Sequence, residues 1–144
     1  AFAAAQLSVD SGGMRAVAGQ FLRFCVVGGL GFGADAGILL ALLRWTALGP
    51  YFGRIVSYLV AATLTWVLNR RFTFAATAGA RPHREWVRYV LVNGLGGGLN
   101  YLVYVLCIRQ SALFWQHPAW AVAAGSAVAL IFNFTANKFV VFRR

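Results

Sequence analysis

Four long apolar runs constrain this chain more than anything else in it: Phe21 to Leu43, Tyr51 to Leu68, Trp86 to Ile108 and Ala119 to Ala136. Each has about the 17 to 25 residues that a helix needs to cross ~30 Å of hydrocarbon at ~1.5 Å per residue. Together they fill most of the 144 residues and leave almost nothing for an extramembrane domain. Inside a bilayer every backbone N–H and C=O must be satisfied within the protein, and the alternating ten-residue strands of a barrel are absent. The sequence therefore predicts an all-α integral membrane protein with four transmembrane helices. Composition agrees, with 60% hydrophobic and only 11% charged residues, where a soluble domain carries roughly 25% charged.

The four spans are two copies of one pair. Thr65 to Phe74, TWVLNRRFTF, is written again as Asn133 to Phe142, NFTANKFVVF: an apolar run stops at an asparagine, a cation follows at once, then aromatic and β-branched residues. Arg23-Phe24 returns 65 residues later as Arg88-Tyr89, Gly28 to Gly31 as Asn93 to Gly96, and Asp35 as Asn100. Ser57, Ala61, Thr65 and Asn69 return 68 residues later as Gly125, Ala129, Asn133 and Asn137. Because each copy holds two helices, both have the same orientation in the membrane, a parallel repeat. Repeat 1 spans about 21–74 and repeat 2 about 85–142, within one domain over 14–144. Residues 1–13 are small and polar and precede the sole methionine, Met14; they read as an expression remnant or flexible tail, without a signal peptide.

Placing both termini and the Asn69 to Glu85 loop on one side gives that side ten of the 13 Lys and Arg. Arg44, Arg54 and Arg109 are left for the other. Such a bias in short loops predicts that both termini are cytoplasmic. The net charge of +10 then belongs to one face, where it attracts anionic lipid headgroups. A basic face held against a bilayer, with no recognisable module, argues against nucleic acid as a partner. Cys25 and Cys107 fall near opposite ends of their helices, too far apart for a disulfide.

Spacing assigns the helix faces. Ser57, Ala61, Thr65 and Asn69 recur every fourth residue, as do Ala121, Gly125, Ala129, Asn133 and Asn137, so each even-numbered span carries one small-to-polar stripe. Gly29, Gly33 and Gly37, and Gly94 and Gly98, repeat the same period and are expected to pack helices closely. The asparagines ask for more, since an amide that loses water needs a partner and glycine would have served packing alone. Asp35 lies deep enough in the first span to need pairing, water or a proton; it is expected to pair with Arg54, to sit near the outer interface where the cost is small, or to couple a proton, with Asn100 as its uncharged counterpart. Gly29 to Ala34 fits G-x-G-x-x-A, but a dinucleotide turn needs a strand before it and this match sits inside a span. No catalytic triad or metal-ligand set is present, so neither an enzyme, a metal nor a cofactor is expected.

Arg-Phe-x-x-Val-Gly-Gly at Arg23 to Gly29, with the twice-written Asn, basic, aromatic ending at Asn69 to Phe74 and Asn137 to Phe142, resembles the GtrA family of small four-helix membrane proteins over about Gln20 to Arg144. The resemblance implies translocation of a polyprenyl-phosphate-linked monosaccharide (undecaprenyl-phosphate glucose is the family's usual cargo) to the outer leaflet of the bacterial inner membrane, for envelope glycan modification. It also implies a membrane glycosyltransferase as partner. In the second repeat Lys138-Phe139 stands where the common pattern has a second arginine.

The chemistry of that cargo fits the residues. One phosphodiester charge calls for arginine, whose planar fork offers two donors at once, and a neutral sugar calls for amides. The expected substrate-binding residues are Arg23, Asn69, Arg70, Arg71, Arg88, Asn93, Asn133, Asn137 and Lys138, with Asp35 and Asn100 coupling or structural; Arg143 and Arg144 are expected to serve orientation only. Four thin helices enclose a sugar poorly, which predicts a homo-oligomer or hetero-complex with the glycine stripes as contacts. Two other readings stay open: a membrane anchor that recruits a glycosyltransferase without transporting, and a proton-coupled exporter using Asp35.

Overall fold

The computed structural model describes residues 2–143, and side chains over 13–143 apart from Pro50, Tyr51 and Pro118. Ala1 and Arg144 lie outside the described residues, and residues 2–13, read from the sequence as an expression remnant or flexible tail, form the first turns of α1. Five α-helices follow in order: α1 (Phe2–Trp45), α2 (Pro50–Leu68), α3 (Pro82–Gln110), the short α4 (Ala112–Gln116) and α5 (Pro118–Ala136). Two π-helical turns, Asn69–Thr73 and Asn137–Val141, extend α2 and α5. All three prolines of the chain open helices. At the first helical position the missing N–H would have had no partner in any case, and the ring fixes a helical φ.

Four segments are long and apolar enough to cross a membrane: Gly13–Trp45, Phe52–Thr73, Pro82–Gln110 and Ala119–Val141. They contain the four runs read from the sequence, except for Tyr51 at the start of the second. Phe32, Phe52 and Leu95 stand largely exposed on these helices, which water would not tolerate and lipid tails do. The chain is a multi-pass helical membrane protein.

It divides into two compact units, residues 1–76 and 77–144. In the first, α2 runs antiparallel along α1 and buries Ser57, Ala61, Thr65 and Asn69, the stripe expected from spacing. Burial is cheap because the hydroxyls bond within their own helix. Thr65 Oγ1 donates to the carbonyls of Ala61 and Ala62 at 3.0 and 3.1 Å, and Ser57 Oγ donates to that of Arg54 at 3.1 Å. Gly31 lets the backbones close: a Cβ there would lie 2.2 Å from Thr65 Cγ2.

The second unit repeats the plan with α3 and α5. Ala121, Gly125, Ala129 and Asn137 are buried, and Asn133 lies across Gly96, where a Cβ would sit 1.9 Å from its Oδ1. Gly125 meets the backbone carbonyl oxygen of Asn100, 2.6 Å from where its Cβ would be. The expected glycine stripes need correcting here. A Cβ on Gly29, Gly33, Gly37 or Gly98 would meet nothing within 4 Å, so close approach inside each hairpin belongs to Gly31, Gly96 and Gly125. Two residues turn a helix by about 200°, so Gly29 and Gly33 face almost away from the partner that Gly31 touches. Cys25 and Cys107 are free thiols.

Candidate functional site

Each hairpin ends in the duplicated stretch, and there the helix widens. The N–H of Phe74 donates to the carbonyl of Asn69 at 2.8 Å, and that of Phe142 to Asn137 at 2.9 Å. Five residues separate the partners, the mark of a π turn. The last aromatic of each copy is thereby buried: Phe74 packs edge-on against Phe24 with centroids 6.2 Å apart, and Phe142 against Tyr89 at 6.1 Å. Each such pair contributes about 0.5–1.5 kcal/mol beyond burial of its area. Arg23-Phe24 and Arg88-Tyr89 are thus the two ends of one device, with the ring locked into the π turn and the guanidinium left at the surface.

Behind each cation lies an amide. Asn69 is 1% exposed and Asn137 fully buried. Thr73 Oγ1 donates to Asn69 Oδ1 at 2.8 Å. Val141 stands where Thr73 would repeat and has no hydroxyl to offer. Asn137 Nδ2 donates to the carbonyl of Asn133 at 2.7 Å, while the buried Oδ1 atoms of Asn137 and Asn133 have no hydrogen-bond partner among the described residues. Asn93, half-buried, donates from Nδ2 to the carbonyl of Tyr89 at 2.8 Å. Asn69 and Asn137 therefore face the interior of their own hairpins, and Asn93 and Asn133 are only partly covered.

The cations lie outside this shell. Arg70 sits over the Trp66 ring at 5.8 Å, and Lys138 over Phe134 and Phe139 at 5.9 and 5.7 Å. Arg71 is exposed. Arg23 donates to the carbonyl of Phe72 at 3.2 Å, and beside it Gln20 Nε2 donates to that of Thr73 at 3.1 Å, stitching α1 to the π turn. In the second unit Arg88 borders an open cleft of about 670 Å³, formed by the segment 78–81 with Arg84, Glu85, Val141 and Arg143. Glu85 is buried, and its Oε2 accepts the N–H of Gly79 at 2.9 Å, which ties the incoming segment to the first turn of α3.

Away from the basic ends, Asp35 forms an ion pair with Arg54, one of the three outcomes anticipated for it. Its counterpart Asn100 donates to Ser126 Oγ at 3.3 Å. Both tie the first helix of a hairpin to its second, at Arg54 near the start of α2 and at Ser126 near the middle of α5.

Two helical hairpins, each closed by a buried amide and an aromatic and each edged with cations, agree with what similarity to known proteins gives. The sequence matches the family model for the GtrA/DPMS transmembrane domain over residues 23–143. The chain belongs to that family. Two curated relatives are each named a bactoprenol-linked glucose translocase. One, from Shigella phage SfV, is 28% identical over 116 residues, covering 74% of this chain and 88% of the relative; the other, from Shigella phage SfX, is 27% identical with the same coverage. No solved structure matches the chain.

In this GtrA/DPMS domain the structure gathers the expected residues by hairpin: Arg23, Asn69, Arg70 and Arg71 in the first unit, Arg88, Asn93, Asn133, Asn137 and Lys138 in the second. Sequence reasoning missed the π turns and the arginine-lined cleft. The turns left a trace in the N-x-x-x-x-F spacing common to Asn69–Phe74 and Asn137–Phe142. The cleft left only a cluster of arginines, of which Arg88 was expected to bind substrate while Arg81 and Arg84 counted towards topology alone.

Proposed function

We propose that this chain translocates a polyprenyl-phosphate-linked monosaccharide from the cytoplasmic to the outer leaflet of the bacterial inner membrane, with both termini cytoplasmic. It is a transporter and not an enzyme. The observation that carries the reading is the pairing of family membership with cations concentrated at the duplicated hairpin ends, where the phosphate of a loaded lipid would be met. Arg23, Arg70, Arg71, Arg88 and Lys138 are proposed to meet the phosphate as the loaded lipid arrives, with Arg88, which lines the cleft of the second unit, holding it most tightly. The half-covered amide of Asn93 is better placed for the sugar than those of Asn69, Asn133 and Asn137, which pack inside their own hairpins. Asp35 serves structure, since its pairing with Arg54 gives the carboxylate a partner without a transported proton; this speaks against the exporter reading. A membrane glycosyltransferase that loads the lipid, and a second copy of this chain, are the proposed partners.

The test is reconstitution of the full chain in vesicles holding a labelled polyprenyl phosphosugar in one leaflet, with an impermeant reagent reporting arrival in the other. Protein-dependent, saturable arrival is expected. Arrival no faster than in protein-free vesicles, with the protein folded and inserted, would leave the anchor reading standing.

A further inference from the structure

We infer that the cleft of the second unit is a docking site for the phosphate-ester headgroup of a membrane lipid. The inference rests on the translocation reading and assigns its substrate's charged head to one hairpin. Arg81, Arg84, Arg88 and Arg143 line the cleft together with a single carboxylate, Glu85. The lining therefore carries four positive charges and one negative, a net +3. None of the four guanidinium groups has a hydrogen-bond or ion-pair partner among the described residues, so like charges are held around one opening with donors to spare. A phosphate ester relieves that repulsion and matches the two-donor fork of arginine. At about 670 Å³ the space lies within the roughly 300–1,000 Å³ of ligand pockets, ample for a phosphate and one sugar ring.

The first unit supplies an internal control. By the repeat offsets of 65 and 68, Arg81, Arg84 and Arg88 correspond to Ala16, Gly19 and Arg23, Glu85 to Gln20, and Val141 and Arg143 to Thr73 and Ala75. The shared scaffold therefore carries one cation in place of four, and that one is engaged with the Phe72 carbonyl. Folding the hairpin does not need the charge. A lipid head is favoured over a soluble phosphate because the π turn that supplies Val141 also exposes Phe139 and Val140, an apolar surface for the attached chain. Glu85 is a positioning residue: its bond to Gly79 N–H shapes the wall at the cost of one repulsive charge.

Detergent-solubilised full chain titrated with farnesyl phosphate, farnesol and inorganic phosphate, followed by phosphorus NMR and calorimetry, tests this. Farnesyl phosphate is expected to bind saturably, and farnesol and inorganic phosphate at least tenfold more weakly. Arg84→Gln with Arg143→Gln should weaken farnesyl phosphate about tenfold to a hundredfold, whereas Arg15→Gln with Arg109→Gln, which removes equal charge elsewhere, should change it less than twofold. Glu85→Gln keeps an acceptor for Gly79 and should tighten binding severalfold, an effect of opposite sign that misfolding does not produce. Equal losses in the two double variants, inorganic phosphate binding as tightly as the lipid, or a glutamate-rich peptide displacing the lipid at similar concentration would each overturn the assignment. Normal binding without translocation would instead count against the transport reading, and normal translocation with unaltered binding in Arg84→Gln/Arg143→Gln against the cleft alone.

Discussion

The two hairpins share their skeleton and differ in what is fixed to it. In both, an aromatic from the first helix, Phe24 or Tyr89, meets the closing phenylalanine of a π turn, a glycine admits a polar side chain from the second helix, and an asparagine is buried at the bend. These are the features duplication has kept, and all concern packing. They differ in the hydroxyl of Thr73 against the methyl groups of Val141, and in one surface cation against four at the positions around the second unit's cleft. What the copies share therefore marks the fold, and where they diverge points to the work.

If that division is right, damage to shared contacts should be large and equal in the two halves. Phe74→Ala and Phe142→Ala should each destabilise their unit by about 3–5 kcal/mol, the usual cost of emptying a buried phenyl site, measured by unfolding in mixed detergent micelles. A loss in only one half would break the equivalence. Gly125→Ala should cost about 1–3 kcal/mol, because the new methyl meets backbone that cannot swing away, whereas Gly33→Ala, facing open space, should cost nothing and gain up to about 1 kcal/mol from helix propensity. Next comes the hydroxyl. Thr73→Val should lose about 1 kcal/mol by removing a donor from Asn69, and Val141→Thr should gain about 0.5–1.5 kcal/mol by giving Asn137 Oδ1 one; the opposite signs sharpen the comparison, and equal signs would remove its basis. The smallest effect is reserved for Asp35→Asn, which installs the amide type its counterpart Asn100 already carries. Translocation by that variant should match the parent at every pH tested, and selective loss at one end of the pH range would restore a proton-coupled role.

Much of the skeleton was legible in the sequence because lipid imposes a simple rule on it. Span number followed from apolar length, and the buried stripe Ser57, Ala61, Thr65, Asn69 followed from a spacing of four that the hairpin then obeyed. The repeat could be aligned residue by residue, and the contacts Gly31–Thr65 and Gly96–Asn133 reproduce that alignment. The glycines could not be assigned from periodicity, because several stripes on one helix have the same period and only the partner's position says which is covered. The bend was unreadable for a related reason: a π turn differs from an α turn by one residue, and NRRFTF has no proline or glycine to announce it. As for the candidate site, the cations were visible individually, yet the cleft depends on Glu85 folding the segment 78–81 back towards Arg84 and Arg88. That is a long-range arrangement which no local spacing encodes.

The central claim is that one scaffold, written twice, concentrates recognition of the phosphate in its second copy. It is tested most directly by comparing Arg88→Gln with its exact repeat counterpart Arg23→Gln, in vesicles matched for inserted protein, by the rate at which a labelled polyprenyl phosphosugar changes leaflet. Loss of a charge-assisted contact of roughly 1.5–3 kcal/mol predicts a fall of about tenfold to over a hundredfold for Arg88→Gln, only partly restored by Arg88→Lys, and a clearly smaller fall for Arg23→Gln. Equal falls, or none in either, would contradict the account.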